Sequence, residues 1–275
     1  MSAAAPPVFV LGVGAQKGGT TWLHRYIAQA PGTDTGRLKE YHVWDARYLP
    51  DCARFRVPLW QVPHPKAWLR WRMQRSDAAY FDYFAHRLAR PGVHLTADIT
   101  PSYSGLPTEA LARIAEGFAA RGIAVRVVFL MRDPVQRCWS AIRMTRRQGK
   151  PQGGTAQDLS EEQALEAHAF GAYAGLRTRY DLTLARLEQV FAPEALHVGL
   201  YETLFQPDSL ARLSGFLGLP PDPDFARHRF NVSDKTAPVS SDLQARIARH
   251  YADVYRDCAR RFPGIEAHWP GFAHL

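Results

Sequence analysis

The segment from Val8 to Leu23 restricts the fold of this chain more than any other part of the sequence. An apolar run at Val8–Val13 is short enough for a buried strand, a glycine-rich turn follows, and two threonines then begin an amphipathic helical pattern. A strand, a turn and a helix in this order direct successive backbone N–H groups and the positive end of a helix dipole to one place. The segment therefore predicts a loop that binds phosphate.

This loop differs from the one that most nucleoside triphosphatases use. Their pattern requires Gly-Lys followed directly by Ser or Thr, whose hydroxyl holds a magnesium ion. Here Lys17 precedes the pair Gly18-Gly19, so the lysine and the hydroxyls of Thr20 and Thr21 approach an anion from different parts of the loop. This order indicates a transferred group other than phosphoryl; the alternative is a tight turn beside a solvated lysine.

Strand and helix patterns alternate along the rest of the chain. Three further strands are predicted at His94–Asp98, Val125–Met131 and His197–Leu200. Such alternation is typical of an α/β fold with a central parallel sheet flanked by helices, whose ligands bind beyond the carboxyl ends of the strands. We predict one domain over residues 1–275. Gln148–Ser160 is predicted to be a mobile loop, because its first half is rich in glycine and proline.

The composition limits the classes of partner. The net charge of +8 favours anionic ligands, but the chain has no block of like charges and no RNA-binding signature, which argues against a nucleic-acid partner. The three cysteines form no paired motif, so we expect no zinc, no disulfide and a cytoplasmic location. No apolar stretch approaches the roughly 20 residues that span a bilayer, and we expect no transmembrane segment.

A second constellation begins where the strand Val125–Met131 ends. Arg132 leaves the strand at the edge where a ligand would bind, and Ser140 follows about two helical turns later. An arginine and a hydroxyl that converge there suit a second, separate phosphate, the alternative for Arg132 being a salt bridge to a neighbouring helix. Asp133 stands where a triphosphatase holds magnesium, but the proline after it, Pro134, favours a helix cap.

Together the two constellations resemble those of the sulfotransferases that use 3′-phosphoadenosine 5′-phosphosulfate (PAPS). The segment Lys39–Asp45, with the sequence Lys-Glu-Tyr-His-Val-Trp-Asp, is similar to one in heparan sulfate and related carbohydrate sulfotransferases. The later segments Tyr201–Leu204 and Phe216–Leu219 are similar to the C-terminal part of bacterial members. The resemblance extends from Val8 to the last helix and is thin between residues 46 and 92.

On the donor side, the resemblance implies a role for each matching residue. Lys17 is expected to neutralise charge on the leaving phosphate and the bridging oxygen. Arg132 and Ser140 are expected to bind the 3′-phosphate. The residues expected to cradle the 5′-phosphate are Gly18, Gly19, Thr20 and Thr21.

On the acceptor side, the resemblance implies that Glu40 is the general base, with His42 and Asp45 beside it. Either Glu40 or His42 could take the proton, while an ion pair of Glu40 with a basic neighbour and a structural role for His42 are alternatives. Asp45 and Tyr103 are predicted to contact the acceptor. Heparan-type enzymes carry a second lysine where this chain has Ile99, which argues against a heparan-like acceptor.

The predicted reaction is transfer of a sulfonate group from PAPS to a hydroxyl or amine of a glycan, lipid or small molecule, with 3′-phosphoadenosine 5′-phosphate (PAP) as product. No metal is expected, because a sulfonyl group carries less charge than a phosphoryl group. One rival is a divergent nucleotide kinase, which would need magnesium and ATP. The other is a binding module for anionic glycan or nucleic acid, which would bind in a salt-dependent way without turnover. Neither the acceptor nor the oligomeric state follows from the sequence.

Overall fold

Strand β1 (Val8–Gly14) is an inner strand of the sheet and is buried along its whole length. The structure, a computed structural model, describes residues 6–149, 159–228, 230 and 238–275. Within these ranges β1 pairs in parallel with β2 (Leu95–Ile99) and with β3 (Ala124–Met131), and β3 pairs in parallel with β4 (Leu196–Leu200). The strand order β2-β1-β3-β4 confirms the predicted parallel sheet.

Helices occupy most of the chain between the strands, as predicted. The α-helices of the described ranges are α1 (Thr20–Gln29), α2 (Trp44–Tyr48), α3 (Pro65–Arg75), α4 (Asp77–Leu88), α5 (Thr108–Ala119), α6 (Pro134–Gln148), α7 (Glu161–Ala169), α8 (Ala172–Thr178), α9 (Tyr180–Val190), α10 (Pro207–Leu217), α11 (Ser241–His250) and α12 (Ala252–Arg261). A 3₁₀ helix, Pro50–Phe55, follows α2 and contributes to the site. The loop predicted at Gln148–Ser160 lies mostly outside the described residues.

Two hydrophobic cores cover the two faces of the sheet. Alternate residues of a strand point to opposite faces, and β1 divides its side chains accordingly. Phe9 and Leu11 belong to a core that also contains side chains of α4, α5, α6, α9, α11 and α12. Val8 and Val10 belong to the other, which contains side chains of α1 and α10. The central sheet is therefore flanked by helices on both faces, which confirms the predicted α/β fold.

The strand order fixes where a ligand can bind. The chain passes from β1 to β2 on one side of the sheet and from β3 to β4 on the other side. The connections that leave β1 and β3 therefore diverge, and a crevice forms beyond the ends of these two strands. The loop to α1 leaves β1 at this edge, and Arg132 follows β3 at the same edge. The fold thus brings both sequence constellations to one place.

Candidate active site

The loop between β1 and α1 packs against the end of β3. The N–H of Ala15 donates to the carbonyl oxygen of Leu130 at 2.7 Å, and a Cβ atom at Gly18 would lie 2.2 Å from that same oxygen. Position 18 therefore admits only glycine. Gly19 precedes α1 with φ of 100° and offers no side-chain cap, and the positive end of the α1 dipole at this position suits an external anion.

A cleft of about 440 Å³ opens at the carboxyl ends of β1 and β3. It unites Lys17 and Arg132, although 115 positions separate them in the sequence. The predicted site residues that line the cleft are Lys17, Gly19, Thr20, Thr21, Glu40, His42, Arg132 and Ser140. Gly18 belongs to the same loop but packs against β3 instead of lining the cleft.

Cationic side chains surround the part of the cleft beside this loop. Arg132 Nη1 donates to the backbone oxygen of Lys17 at 3.4 Å, and its guanidinium lies 4.5 Å from the centre of the Tyr201 ring. Burial, together with the charges of Arg132, Arg147 and Arg143, lowers the pKa of Lys17 to about 8. A bound anion would relieve this repulsion and restore the charged form of the lysine. We call this part the donor end.

Helix α6 delivers the second constellation to the donor end. Its N-cap is Asp133, whose carboxylate accepts from the N–H of Gln136 at 2.9 Å and from the N–H of Gly271 at 2.8 Å. The interpretation of Asp133 as a helix cap is therefore confirmed. The cap fixes the start of α6 directly after Arg132, and Ser140 follows on the side of the helix that lines the cleft.

Arg143 is a cleft residue that the sequence analysis missed. It lies on α6 three positions after Ser140, and neighbours at this spacing share a helix face. Among the described residues, its Nε and Nη1 are buried without a hydrogen-bond acceptor, and its guanidinium stacks 4.7 Å from the Trp139 ring centre. An unpaired buried donor is costly, so Arg143 is suited to an incoming anion. Its spacing of three residues from Ser140 could have predicted from the sequence that Arg143 faces the cleft.

A chain of hydrogen bonds forms the other part of the cleft, which we call the acceptor end. Lys39 Nζ donates to Glu40 Oε1 at 2.7 Å. His42 lies between two carboxylates, with Nε2 3.2 Å from Glu40 Oε2 and Nδ1 2.6 Å from Asp45 Oδ2. Ser102 Oγ donates to the same oxygen of Asp45. Both ring nitrogens of His42 are thus occupied, whereas the side chain of Glu40 remains 30% exposed.

These hydrogen bonds shift the pKa values of Glu40 and His42. Burial raises the pKa of Glu40, but the hydrogen bond from His42 and the charge of Lys39 outweigh it and lower the pKa to about 2. For His42, burial lowers the pKa, but the hydrogen bonds to Asp45 and Glu40 outweigh it and raise the pKa. Near neutral pH, Glu40 is therefore a carboxylate, while the two carboxylates beside His42 stabilise its charged form. The cleft is therefore lined by an ionised carboxylate, that of Glu40.

Helix α3 holds the backbone of the acceptor end. Arg70 donates to the carbonyl oxygens of Tyr41 at 2.8 Å and of Glu40 at 2.9 Å. Gln74 Nε2 donates to the carbonyl oxygens of His42 at 2.7 Å and of Phe55 at 2.9 Å. The Phe55 ring stacks on the His42 ring with centres 3.7 Å apart. These contacts fix Glu40 and His42 even though they lie in a loop.

Comparison with solved structures identifies the fold. A sulfotransferase from Alicyclobacillus acidocaldarius superposes with a TM-score of 0.60, at 19% identity, over 94% of this chain and 96% of that one. The chain has the sulfotransferase fold. The sulfotransferase domain of the Synechococcus PCC 7002 olefin synthase also matches, with a TM-score of 0.50 and 16% identity, over 90% of this chain and 94% of that domain. Neither a family model nor a curated protein gives a significant match to the sequence.

Two predicted acceptor contacts lie behind the cleft of this sulfotransferase fold. Asp45 is fully buried and Tyr103 is 1% exposed, and neither lines the cleft. Asp45 instead holds His42, while the hydroxyl of Tyr103 donates to Asp98 at 2.9 Å and accepts from the N–H of Val43 at 3.2 Å. The structure therefore gives both residues contacts that support the cleft wall, in place of the predicted contact with an acceptor.

Some aromatic side chains of the protein line the cleft and others lie away from it. Tyr80 belongs to the core, and Trp60 and Trp68 are exposed outside the cleft. The aromatic side chains that line the cleft are Trp22, Phe55, Tyr173, Tyr201, Phe205 and Phe230. The stretch between residues 46 and 92, where the resemblance is thin, thus supplies Phe55 to the site.

The described residues carry two further findings that bear on the predicted partners. No helix among them is long and apolar enough to cross a membrane. Within the same ranges, no three His, Cys, Asp or Glu side chains are grouped so that they could hold a metal ion.

We expect anion binding at the donor end to take up a proton above pH 8. Lys17 has a pKa of about 8 in the free protein, and an anion raises that pKa. Uptake should therefore increase from about 0.1 proton at pH 7 to about 0.9 at pH 9. Calorimetry with PAP in buffers of different ionisation enthalpy measures it. The Lys17→Arg variant stays charged throughout this range and should lose the increase; an unchanged increase would assign the proton to another group.

Proposed function

We propose that the chain transfers a sulfonate group from PAPS to a hydroxyl or amine of an acceptor. The observation that carries this proposal is that a lysine loop, two arginines with a hydroxyl, and an ionised carboxylate meet in a single cleft. Lys17 and the start of α1 would form one anion site, Arg132, Ser140 and Arg143 would form the other, and Glu40 faces the same space. A donor with two separate phosphate groups matches this arrangement, and the sulfotransferase fold supports it.

The donor end fits the two phosphate groups of PAPS. The loop admits glycine alone at position 18, and α1 begins after a glycine N-cap that has no side chain of its own, which suits the 5′-phosphosulfate. The unpaired guanidinium donors of Arg143 and the guanidinium of Arg132 suit the 3′-phosphate, together with the hydroxyl of Ser140. PAP would be retained by the same contacts after transfer.

The chemistry proposed for the site needs a proton acceptor and a cation. As the acceptor oxygen or nitrogen forms its bond to sulfur, its proton passes to the carboxylate of Glu40. The bond between sulfur and the bridging oxygen breaks, and PAP leaves with the electron pair. Lys17 and the loop N–H groups stabilise the charge that grows on the leaving phosphate. His42, held by Asp45, orients Glu40 through its own hydrogen bond.

The proposal also covers the domain organisation, the cellular location and the metal requirement of the protein. One hydrophobic core contains Phe9 near one end and Trp269 near the other, which supports one domain over residues 1–275. Cys52, Cys138 and Cys258 are all buried, unpaired thiols, which supports a cytoplasmic location. We propose further that transfer proceeds without a metal ion, and that the acceptor is a glycan, lipid or small molecule rather than a nucleic acid.

The proposed function predicts a preference for a 3′-phosphate. PAP should bind at least about tenfold more tightly than adenosine 5′-monophosphate, since a hydrogen bond to a charged group contributes about 1.5–3 kcal/mol and 1.4 kcal/mol is a factor of ten. The Arg132→Ala variant should lose most of this preference and bind the monophosphate nearly as before. Calorimetry without magnesium measures both affinities.

The control for this experiment is Arg256→Ala, because Arg256 is exposed and pairs with Asp253 outside the cleft. It should keep the full preference. Equal affinity of the unmutated protein for PAP and the monophosphate would refute the sulfotransferase proposal. A requirement for magnesium and ATP would favour a nucleotide kinase instead.

A further inference from the structure

A second pair of arginines lies at the acceptor end. Arg54 and Arg177 come from the 3₁₀ helix Pro50–Phe55 and from α8, and both line the cleft. Their guanidinium groups lie 4.8 Å and 3.6 Å from the centre of the Tyr173 ring. Arg54 also lies 5.0 Å from the Phe55 ring, which stacks on His42. The two cations are thus grouped beside the proposed base.

Neither of these two arginines forms an ion pair with a carboxylate of the described residues. Arg177 is 2% exposed; its Nη1 donates to the carbonyl oxygen of Tyr173 at 3.1 Å and its Nη2 to Cys52 Sγ at 3.7 Å. Burial raises the pKa of the Cys52 thiol, which therefore stays neutral. Arg54 donates to the phenol of Tyr173. A buried guanidinium without a carboxylate is costly, so Arg177, with the exposed Arg54 beside it, is suited to an anion from outside.

The donor end has its own cations and does not account for this pair. The charges that lower the pKa of Lys17 are those of Arg132, Arg147 and Arg143, followed by the smaller effect of Lys39 from the acceptor end. The charges of Arg54 and Arg177 act instead on the Cys52 thiol, at the acceptor end. The cleft thus contains two separate groups of cations, with Glu40 and His42 beside the second.

We infer that the acceptor carries an oxyanion group, a carboxylate or a phosphate, which Arg54 and Arg177 bind while its hydroxyl or amine faces Glu40. This substrate class rests on the proposed function. The planar guanidinium matches both oxyanions with paired N–H donors. The pair supplies the positive contact that the sequence lacks at Ile99, but from other elements of the fold. The acceptor is therefore selected by charge at a point separate from the reacting atom.

The test measures anion binding to the protein with its donor end already filled. Titration with PAP comes first, since failure to bind PAP would refute the proposed function and not this inference. Inorganic phosphate and benzoate are then titrated separately into the PAP-saturated protein by calorimetry. We expect one binding site for at least one of the two anions. Binding of phosphate would indicate an acceptor that carries a phosphate, and binding of benzoate would indicate an acceptor that carries a carboxylate.

Variants connect that site to the two arginines. Arg54→Met, at an exposed position, should weaken the second anion by about tenfold or more, because one charged hydrogen bond contributes at least that factor. Arg177→Met should do the same, and Arg177→Lys should recover part of the affinity if the buried position still folds, as judged by circular dichroism. The control Arg249→Met, on the exposed face of α11, should bind as the unmutated protein does.

Two results would overturn the inference. One is that PAP-saturated protein binds neither phosphate nor benzoate. The other is that Arg54→Met binds the second anion as tightly as the unmutated protein and the Arg249→Met control. In both cases PAP binding would be intact, so the proposed sulfotransferase function would stand while the anionic acceptor would not.

Discussion

Replacing Glu40 with glutamine is expected to lower turnover by about 10²- to 10⁴-fold, the usual contribution of a general base. Glutamine keeps the shape of the side chain and can still accept a hydrogen bond from Lys39 or His42, but it cannot take a proton from the acceptor. PAP affinity should change little, because the PAP-binding groups lie at the donor end. The measurement is transfer of ³⁵S from labelled PAPS to an acceptor found by screening, alongside calorimetry with PAP.

The matched control for Glu40→Gln is Glu116→Gln, since Glu116 is exposed on α5 outside the cleft. That control should keep normal turnover. The companion variant His42→Ala should be impaired but not inactive, because in the proposed mechanism His42 orients Glu40 and Glu40 takes the proton. Near-normal turnover in Glu40→Gln combined with an inactive His42→Ala protein would reverse the two roles.

The Lys17→Ala variant should lower turnover by about 10²- to 10³-fold, the effect of removing one group that stabilises transition-state charge. Its affinity for PAP should decrease by less than about tenfold. The difference arises because charge on the leaving phosphate grows as the bond to sulfur breaks, so Lys17 contributes more in the transition state than in the product complex. Turnover and PAP affinity are measured on the same preparation.

Lys66→Ala serves as the control for Lys17→Ala, because Lys66 is exposed on α3 and does not line the cleft. It should leave both turnover and PAP affinity unchanged. If Lys17→Ala instead lost turnover and PAP affinity by the same factor, Lys17 would be a binding residue without a specific role in the transition state.

The donor end could be predicted from the sequence because its chemistry lies in short segments. A buried strand, a glycine turn and a helix start within residues 8–23 determine the loop, and Arg132 follows the second inner strand directly. The parallel sheet then places both at one edge. Asp133 as a helix cap was predictable for the same reason, since a cap and its helix are neighbours in the chain.

The acceptor end could be predicted only in part, because long-range packing forms it. Arg54 and Arg177 come from separate elements, and no periodicity marks the stretch that contains Arg54. Tyr103 follows β2 closely, as a ligand-binding residue would, yet its hydroxyl satisfies the buried carboxylate of Asp98. The spacing of two residues in the sequence predicts that they share one face of a helix or strand. It does not predict whether that face will be buried by neighbouring elements or will line the cleft.

The way α3 holds the acceptor end has a consequence for how this protein can acquire new substrates. Arg70 and Gln74 grip the carbonyl oxygens of Glu40, Tyr41, His42 and Phe55. Every amino acid has a backbone carbonyl oxygen, so these hydrogen bonds remain possible when a side chain that faces the acceptor is replaced. Substitutions at position 54 can therefore accumulate while the stacking of Phe55 on His42 and the packing of the donor loop against β3 are kept. A library randomised at position 54 would search acceptor selectivity while the residues proposed for transfer stay in place.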